Sequence, residues 1–293
     1  MNHIKKQLDS LSEADFKDSY LVTLVDGRQH THLGQDEIQI VYPGWKDGWR
    51  TLKVAEVSKY LEMPYMKSRL YMPLPSPKEL PEQKYFIDPY LLGVLIGDGG
   101  LGYGRMTITS ADEDLIQNCN SRIHFGFEVV KLSSKYGYGL RRNKVTGSKG
   151  KHNAYTDEIR RLGLNVNSEL KFIPENYLVG SIEQRSWLMK GLMDTDGTID
   201  LQGTSSYCST SYRLACDVVE LARSLGHIAF ISERHPSFTY LGVKKKGKTA
   251  YQVNLRVRNP RSLFSISRKL SRSPDKNQYS DTLKLRIEDI QRL

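Results

Sequence analysis

The sequence predicts an α+β protein: two repeated halves, each running helix, strand, strand, helix, behind a small, mostly β N-terminal domain. Three observations predict it. Residues 91–99, LLGVLIGDG, and 189–197, MKGLMDTDG, are two versions of one pattern. In each, an apolar run passes through a glycine and stops at Asp-Gly, with Asp98 and Asp196 set 98 residues apart. Residues 20–72 alternate in the manner of short strands, with Asp26-Gly27 as a hairpin turn. Between these regions PLPSPKELPEQ (73–83) carries four prolines and reads as a linker. The expected divisions are 1–84 for the N-terminal domain with its linker, 85–180 for the first half and 181–293 for the second.

Local signals set the start of each repeated helix. Asp88 can cap with Pro89 at the first helical position, and Ser181 followed by Gln184 makes a capping box. Downstream, GRMTITSADEDLIQNCNSRI and SSYCSTSYRLACDVVELARSLG repeat the order strand, Ser/Thr cap, helix. Small residues lie four apart near each helix end, Gly93 with Gly97 and Gly191 with Thr195. That spacing lets two backbones pack closely and brings Asp98 beside Asp196. Paired carboxylates at the negative ends of two helix dipoles repel, and a hard divalent cation relieves them. The plain alternative is that both aspartates merely end helices at Asp-Gly turns.

Composition bounds the function. A net charge of +10 and pI near 9.3 suit a polyanion partner. The three cysteines, Cys119, Cys208 and Cys216, have neither CxxC spacing nor an even count, which fits a reducing compartment without a disulfide framework or zinc site. The first residues lack a signal-peptide core, and no apolar run approaches the ~20 residues that span a bilayer. A soluble, cytoplasmic protein is expected. The stretch LIGDGGLGYG also matches the dinucleotide fingerprint through Gly97, Gly99 and Gly102. That fingerprint needs a strand before the glycines and a helix after them; here the order is reversed and the second copy lacks the pattern. No nucleotide cofactor is expected, and an oxidoreductase is disfavoured.

LLGVLIGDG and MKGLMDTDG, with LGLNVNSELKFIPENYLVGSIEQRSWLMKGLMDTDG (162–197), resemble the double-motif LAGLIDADG homing endonucleases, the intein-encoded branch in particular. The resemblance covers roughly residues 85–293. The first copy departs from it at Ile96 and Gly97; the terminal acids are kept. It implies two pseudo-symmetric αββαββα halves forming a DNA-binding β-saddle, in a monomer that cuts both strands of a duplex site. It implies Mg²⁺ (or Mn²⁺) held at Asp98 and Asp196, with Gly97 and Thr195 beside them as further metal contacts. A basic catalytic partner, a lysine in the intein-like branch, is implied near each attacking water. The K-x-I-P match points to Lys171, 73 residues after Asp98, and the same interval after Asp196 reaches Lys269, with Lys276 as a competitor. An RNA maturase or a non-cleaving DNA-binding protein of the same fold is the competing function.

The residues that suit DNA lie in both halves. In YQVNLRVRN, Val253, Leu255 and Val257 alternate with Gln252, Asn254, Arg256 and Arg258, side chains able to read base edges. Lys244, Lys245, Lys246 and Lys248 form a basic hairpin tip suited to phosphates. Tyr136, Tyr138, Arg141, Arg142 and Lys144 are the first-half counterpart. The N-terminal domain loosely resembles an intein splicing domain. The sequence begins MNHIKK and ends IEDIQRL, without the Cys or Ser and the His-Asn that splicing uses, so that chemistry is expected to be lost. A DNA-binding arm carrying Trp45 and Trp49 is the expectation for it, although core packing would explain the tryptophans equally well.

Overall fold

In β1 (Ser19–Leu24), Tyr20, Val22 and Leu24 are buried at every second position, the pattern of a strand with one face on a core. The tight turn after it uses Gly27 at φ +84°, a conformation that L side chains rarely adopt. The computed structural model describes residues 18–102, 106–143, 153–240, 242–273 and 284–293. The chain forms two units, 1–75 with 279–293, and 76–278.

The first unit adds β2 (Gln29–Leu33), β3 (Glu37–Ile40), β4 (Arg50–Lys53), helix α1 (Val54–Glu62) and β5 (Tyr71–Pro73). Its main sheet has the order β2-β1-β16-β5, where β16 is Lys284–Arg292 from the far end of the sequence. Leu285 and Ile287 of β16 complete a core with Val22, Leu24, Ile38, Ile40 and Leu70. This corrects the expected division, which ran the second half to residue 293. Nothing local marks KLRIEDIQR as belonging to a strand 260 residues upstream; only its pairing with β1 and β5 does. Trp45 carries the Arg50 guanidinium 4.2 Å over its ring and packs edge-on against Tyr42 and Tyr60.

The second unit is mixed α+β with antiparallel sheets. After α2 (Pro89–Asp98) come β6 (Gly99–Gly100), β7 (Thr107–Thr109), α3 (Glu113–Asn120), β8 (Phe127–Lys131), β9 (Gly137–Arg142) and α4 (Ala154–Arg161). A 3-10 turn (Ser168–Leu170) and α5 (Glu175–Leu178) lead to α6 (Ile182–Thr195). Then follow β10 (Gly197–Ile199), β11 (Ser205–Ser209), α7 (Tyr212–Ser224), β12 (Ile228–Arg234), the ribbon β13 (Ser237–Tyr240) and β14 (Val243–Lys246), β15 (Ala250–Arg256) and α8 (Ser267–Leu270). The sheets are ordered β6-β7-β9-β8 and β10-β11-β15-β12, so each half strings its strands in the same way. The β13–β14 ribbon has no equivalent between β8 and β9.

The helix starts follow the local chemistry. Asp88 Oδ1 accepts the Tyr90 and Leu91 amides at 2.9 and 3.3 Å, and Ser181 and Gln184 exchange the two bonds of a capping box. The proline-rich segment behaves differently from a free linker. Residues 78–83 are strapped to the second half by Arg185, fully buried, which donates to the Lys78 carbonyl and to Ser224, and by Gln184, which exchanges bonds with the Gln83 backbone at 3.0 and 2.7 Å.

Candidate active site

Two buried helices meet at glycine. A methyl group added at Gly93 would lie 2.5 Å from the Leu188 carbonyl and 2.8 Å from the Leu192 nitrogen. One added at Gly191 would lie 3.0 Å from the Gly93 Cα. One turn on, Gly97 leaves room only for the Thr195 side chain. The stripe of small residues is therefore the crossing point of α2 and α6, and it delivers Asp98 and Asp196 to one place at the helix C-termini.

A helix end exposes carbonyls without partners and a partial negative charge. Neither helix carries a basic residue in its last turn. The cation arrives from 73 residues downstream in each case. Lys171 Nζ donates to the carbonyls of Ile96, Gly97 and Gly99 at 2.7, 3.1 and 2.9 Å. Lys269 Nζ donates to those of Met193, Asp194, Thr195 and Gly197 at 2.6, 2.7, 2.9 and 2.7 Å. An ammonium has three protons, so Lys171 gives one to each of its carbonyls and Lys269 shares one between two; both lysines are fully committed. They are 6% and 4% exposed, and burial lowers the pKa of each, that of Lys269 to about 8. Of the residues expected beside a metal, Gly97 and Thr195 lie at the two helix ends, where their carbonyls accept from these lysines. The Thr195 hydroxyl turns back to the Leu192 carbonyl at 2.8 Å.

The two acids sit in different fields. Burial raises the pKa of Asp98, while Lys269 and Lys171 pull it down. Burial raises Asp196 to about 6, and the charge of Asp98 adds to the rise against the pull of Lys171 and Lys269. Beside them the fully buried Tyr207 hydroxyl has no hydrogen bond of good geometry. Burial and the charges of Asp196 and Asp98 hold it well above its ordinary ionisation range. No group of three or more His, Cys, Asp or Glu side chains is placed to hold a metal among the described residues. Two carboxylates do fit a hard cation of the Mg²⁺ kind, which usually takes one or two carboxylates and completes its shell with water and phosphate oxygens.

Asp194 was not anticipated as part of the site. It lies two residues before Asp196, is buried, and accepts from the Tyr90 hydroxyl at 2.9 Å, the Ser265 amide at 3.0 Å and the Ser265 hydroxyl. Its place in the first copy is Ile96, so only the second motif has this tie. The sequence signal was the first acid of DTDG, an acid with no counterpart in LIGDG.

The sheets leave one face free of helices. On β15, Val253 and Leu255 point to α7, while Gln252, Asn254 and Arg256 lie on the opposite face with Thr198, Ser206 and Phe230. Asn254 donates to Ser232 at 2.9 Å, and Arg258, beyond the strand, is exposed. Lys244, Lys245 and Lys246 are exposed on the β13–β14 ribbon, and Lys248 pairs with Glu169. Arg141 and Arg142 are consecutive on a strand and so face opposite ways. Arg141 joins Glu128 at 3.2 Å, and Arg142 lies 5.7 Å from the Phe127 ring centre. Tyr136 is exposed and Tyr138 is partly buried. Lys144 and Lys276 lie outside the described residues. No described helix is long and apolar enough to cross a membrane.

No family model matches the chain. The replicative DNA helicase DnaB of Mycobacterium intracellulare is 30% identical over 217 residues, covering 73% of this chain and 31% of the helicase. The chain thus spans about a third of that relative's length. A solved structure from work on mesophilic variants of the homing endonuclease I-DmoI aligns with a TM-score of 0.36 and 17% identity, over 60% of this chain and 92% of that one.

Proposed function

We propose that the chain is a site-specific double-strand DNA endonuclease that hydrolyses phosphodiesters with Mg²⁺ or Mn²⁺ held by Asp98 and Asp196. The observation that carries this reading is the convergence of two aspartates at a glycine-tight helix crossing, where one carboxylate resists ionisation partly because of the other. Such a pair is costly in the protein alone and becomes favourable around a dication. What the cation supplies in a site of this kind is charge stabilisation at a phosphate and a more acidic water.

The chain's own residues orient and hold. Lys171 and Lys269 pin the two helix ends and so fix the backbone from which each acid projects. As fully committed donors, they serve as positive charges beside the acids rather than as proton acceptors. The open face bearing Gln252, Asn254 and Arg256 supplies side chains able to form paired bonds with base edges, and the lysine ribbon supplies phosphate contacts. A basic protein of this charge gains long-range attraction to a duplex.

The test is incubation with a plasmid library of candidate sites and Mg²⁺, followed by mapping of the ends. Discrete double-strand ends are expected from the wild-type chain, and none from the Asp98→Asn, Asp196→Asn double variant. Cutting that survives both substitutions would overturn the mechanism. Tight RNA or DNA binding without cutting would favour the maturase or non-cleaving reading.

A further inference from the structure

Each lysine at a motif-helix end lies in a segment too short to hold itself, and in both cases the opposite half does the holding. Lys269 is on α8, a single helical turn, which has no stability of its own in water. First-half residues fix its neighbours. Arg268 forks onto the Asp112 carboxylate at 2.9 and 2.8 Å, and the Ser267 amide donates to Asp114 at 2.5 Å. Asn118 donates to the Ser265 hydroxyl at 3.3 Å. Asp112 is the N-cap residue of α3, and Asp114 and Asn118 lie within that helix.

Lys171 follows the 3-10 turn Ser168–Leu170, and second-half residues fix it. The Ser211 hydroxyl donates to the Lys171 carbonyl at 2.7 Å, and Asp217 accepts the Ile173 amide at 2.8 Å. Ser211 is the N-cap of α7, the helix that stands in the second half where α3 stands in the first. The grips are exchanged: the start of α3 holds the second lysine, and the start of α7 holds the first. They differ in kind. One is an ion pair with a half-exposed Arg268; the other is a neutral bond to a buried Ser211.

We propose that Asp112, acting through Arg268, and Ser211, acting with Asp217, are positioning residues that each set the lysine of the opposite half. Separate damage to the two grips then unbalances the cutting of the two strands. The strand effect rests on the endonuclease reading; the positional claim does not.

The test is brief labelling of the intact protein with acetic anhydride, read peptide by peptide by mass spectrometry. Asp112→Ala should raise labelling of Lys269 about three-fold, the scale a half-exposed ion pair supports, and leave Lys171 unchanged. Ser211→Ala should do the reverse. Arg268→Gln and Asp217→Asn are second variants at each grip should the first fold poorly, and Asp112→Glu should restore the wild-type pattern. Labelling that rises at both lysines together, or at neither, overturns the proposal. On a duplex with each strand labelled separately, Asp112→Ala and Ser211→Ala should accumulate nicks in opposite strands. Equal slowing of both strands overturns the strand claim. A wild-type chain that cuts no DNA overturns the endonuclease reading, and the labelling still decides the positional claim.

Discussion

At the residue scale, two aspartates of one short motif meet opposite fates. Asp194 is satisfied by Tyr90 and Ser265 and serves as a tie between the halves. Asp196 has no such set of donors and is held near a second carboxylate. Its folded-state pKa of about 6 lies above the ordinary 3.8, so the folded chain binds that proton more tightly than the unfolded one. The contribution to stability is present below about pH 4 and is lost as the pH rises through about 6. A shift of this size is worth at most ~3 kcal/mol. Asp196→Asn cannot ionise and escapes the loss. It should therefore match the wild type near pH 4 and be the more stable protein near pH 7.5, by chemical denaturation without divalent ions. Equal stability at both pH values would show that the acid is not strained.

At the scale of elements, the crossing of α2 and α6 depends on the absence of two side chains. Gly93→Ala pushes a methyl into the Leu188 carbonyl and the Leu192 nitrogen, which belong to backbone and cannot swing aside. Overpacking of this kind costs roughly 1–3 kcal/mol or more, and thermal melting should report it. A neutral melting temperature would mean that the helices can separate without loss. This crossing was legible because it is written locally: a cap, a glycine, a small residue four further on and Asp-Gly, twice. Lys171 was legible through the K-x-I-P match, and Lys269 through the same interval of 73 residues. The exchanged grips, the Arg185 strap and the return of β16 were not, because each joins residues whose individual patterns are ordinary. Arg268 reads as one more surface cation until Asp112 is placed beside it, and residues 73–83 read as a linker until Arg185 takes the Lys78 carbonyl.

At the scale of the whole molecule, the excess of positive charge has a local concentration. All eight residues of β13 and β14 are exposed, and the second strand is Val-Lys-Lys-Lys. Every phosphate that a lysine ceases to neutralise flattens the salt dependence of duplex binding by ~0.9. Converting Lys244, Lys245 and Lys246 to Gln should therefore reduce the slope of log K against log salt by up to about 2.7. Fluorescence anisotropy between low and moderate salt measures it, and an unchanged slope would remove the ribbon from the interface.

The position of β16 also carries a consequence in time. It is an interior strand of its sheet, between β1 and β5, yet it is separated from β5 by the entire second unit. During synthesis the ribosome completes residues 76–278 before it makes the strand that β1 and β5 require. The second unit, built from one continuous stretch, can fold while the first still waits with two strand edges open. Along the sequence the second unit is one unbroken stretch set between the two stretches of the first, so the sheet of the first unit is finished last.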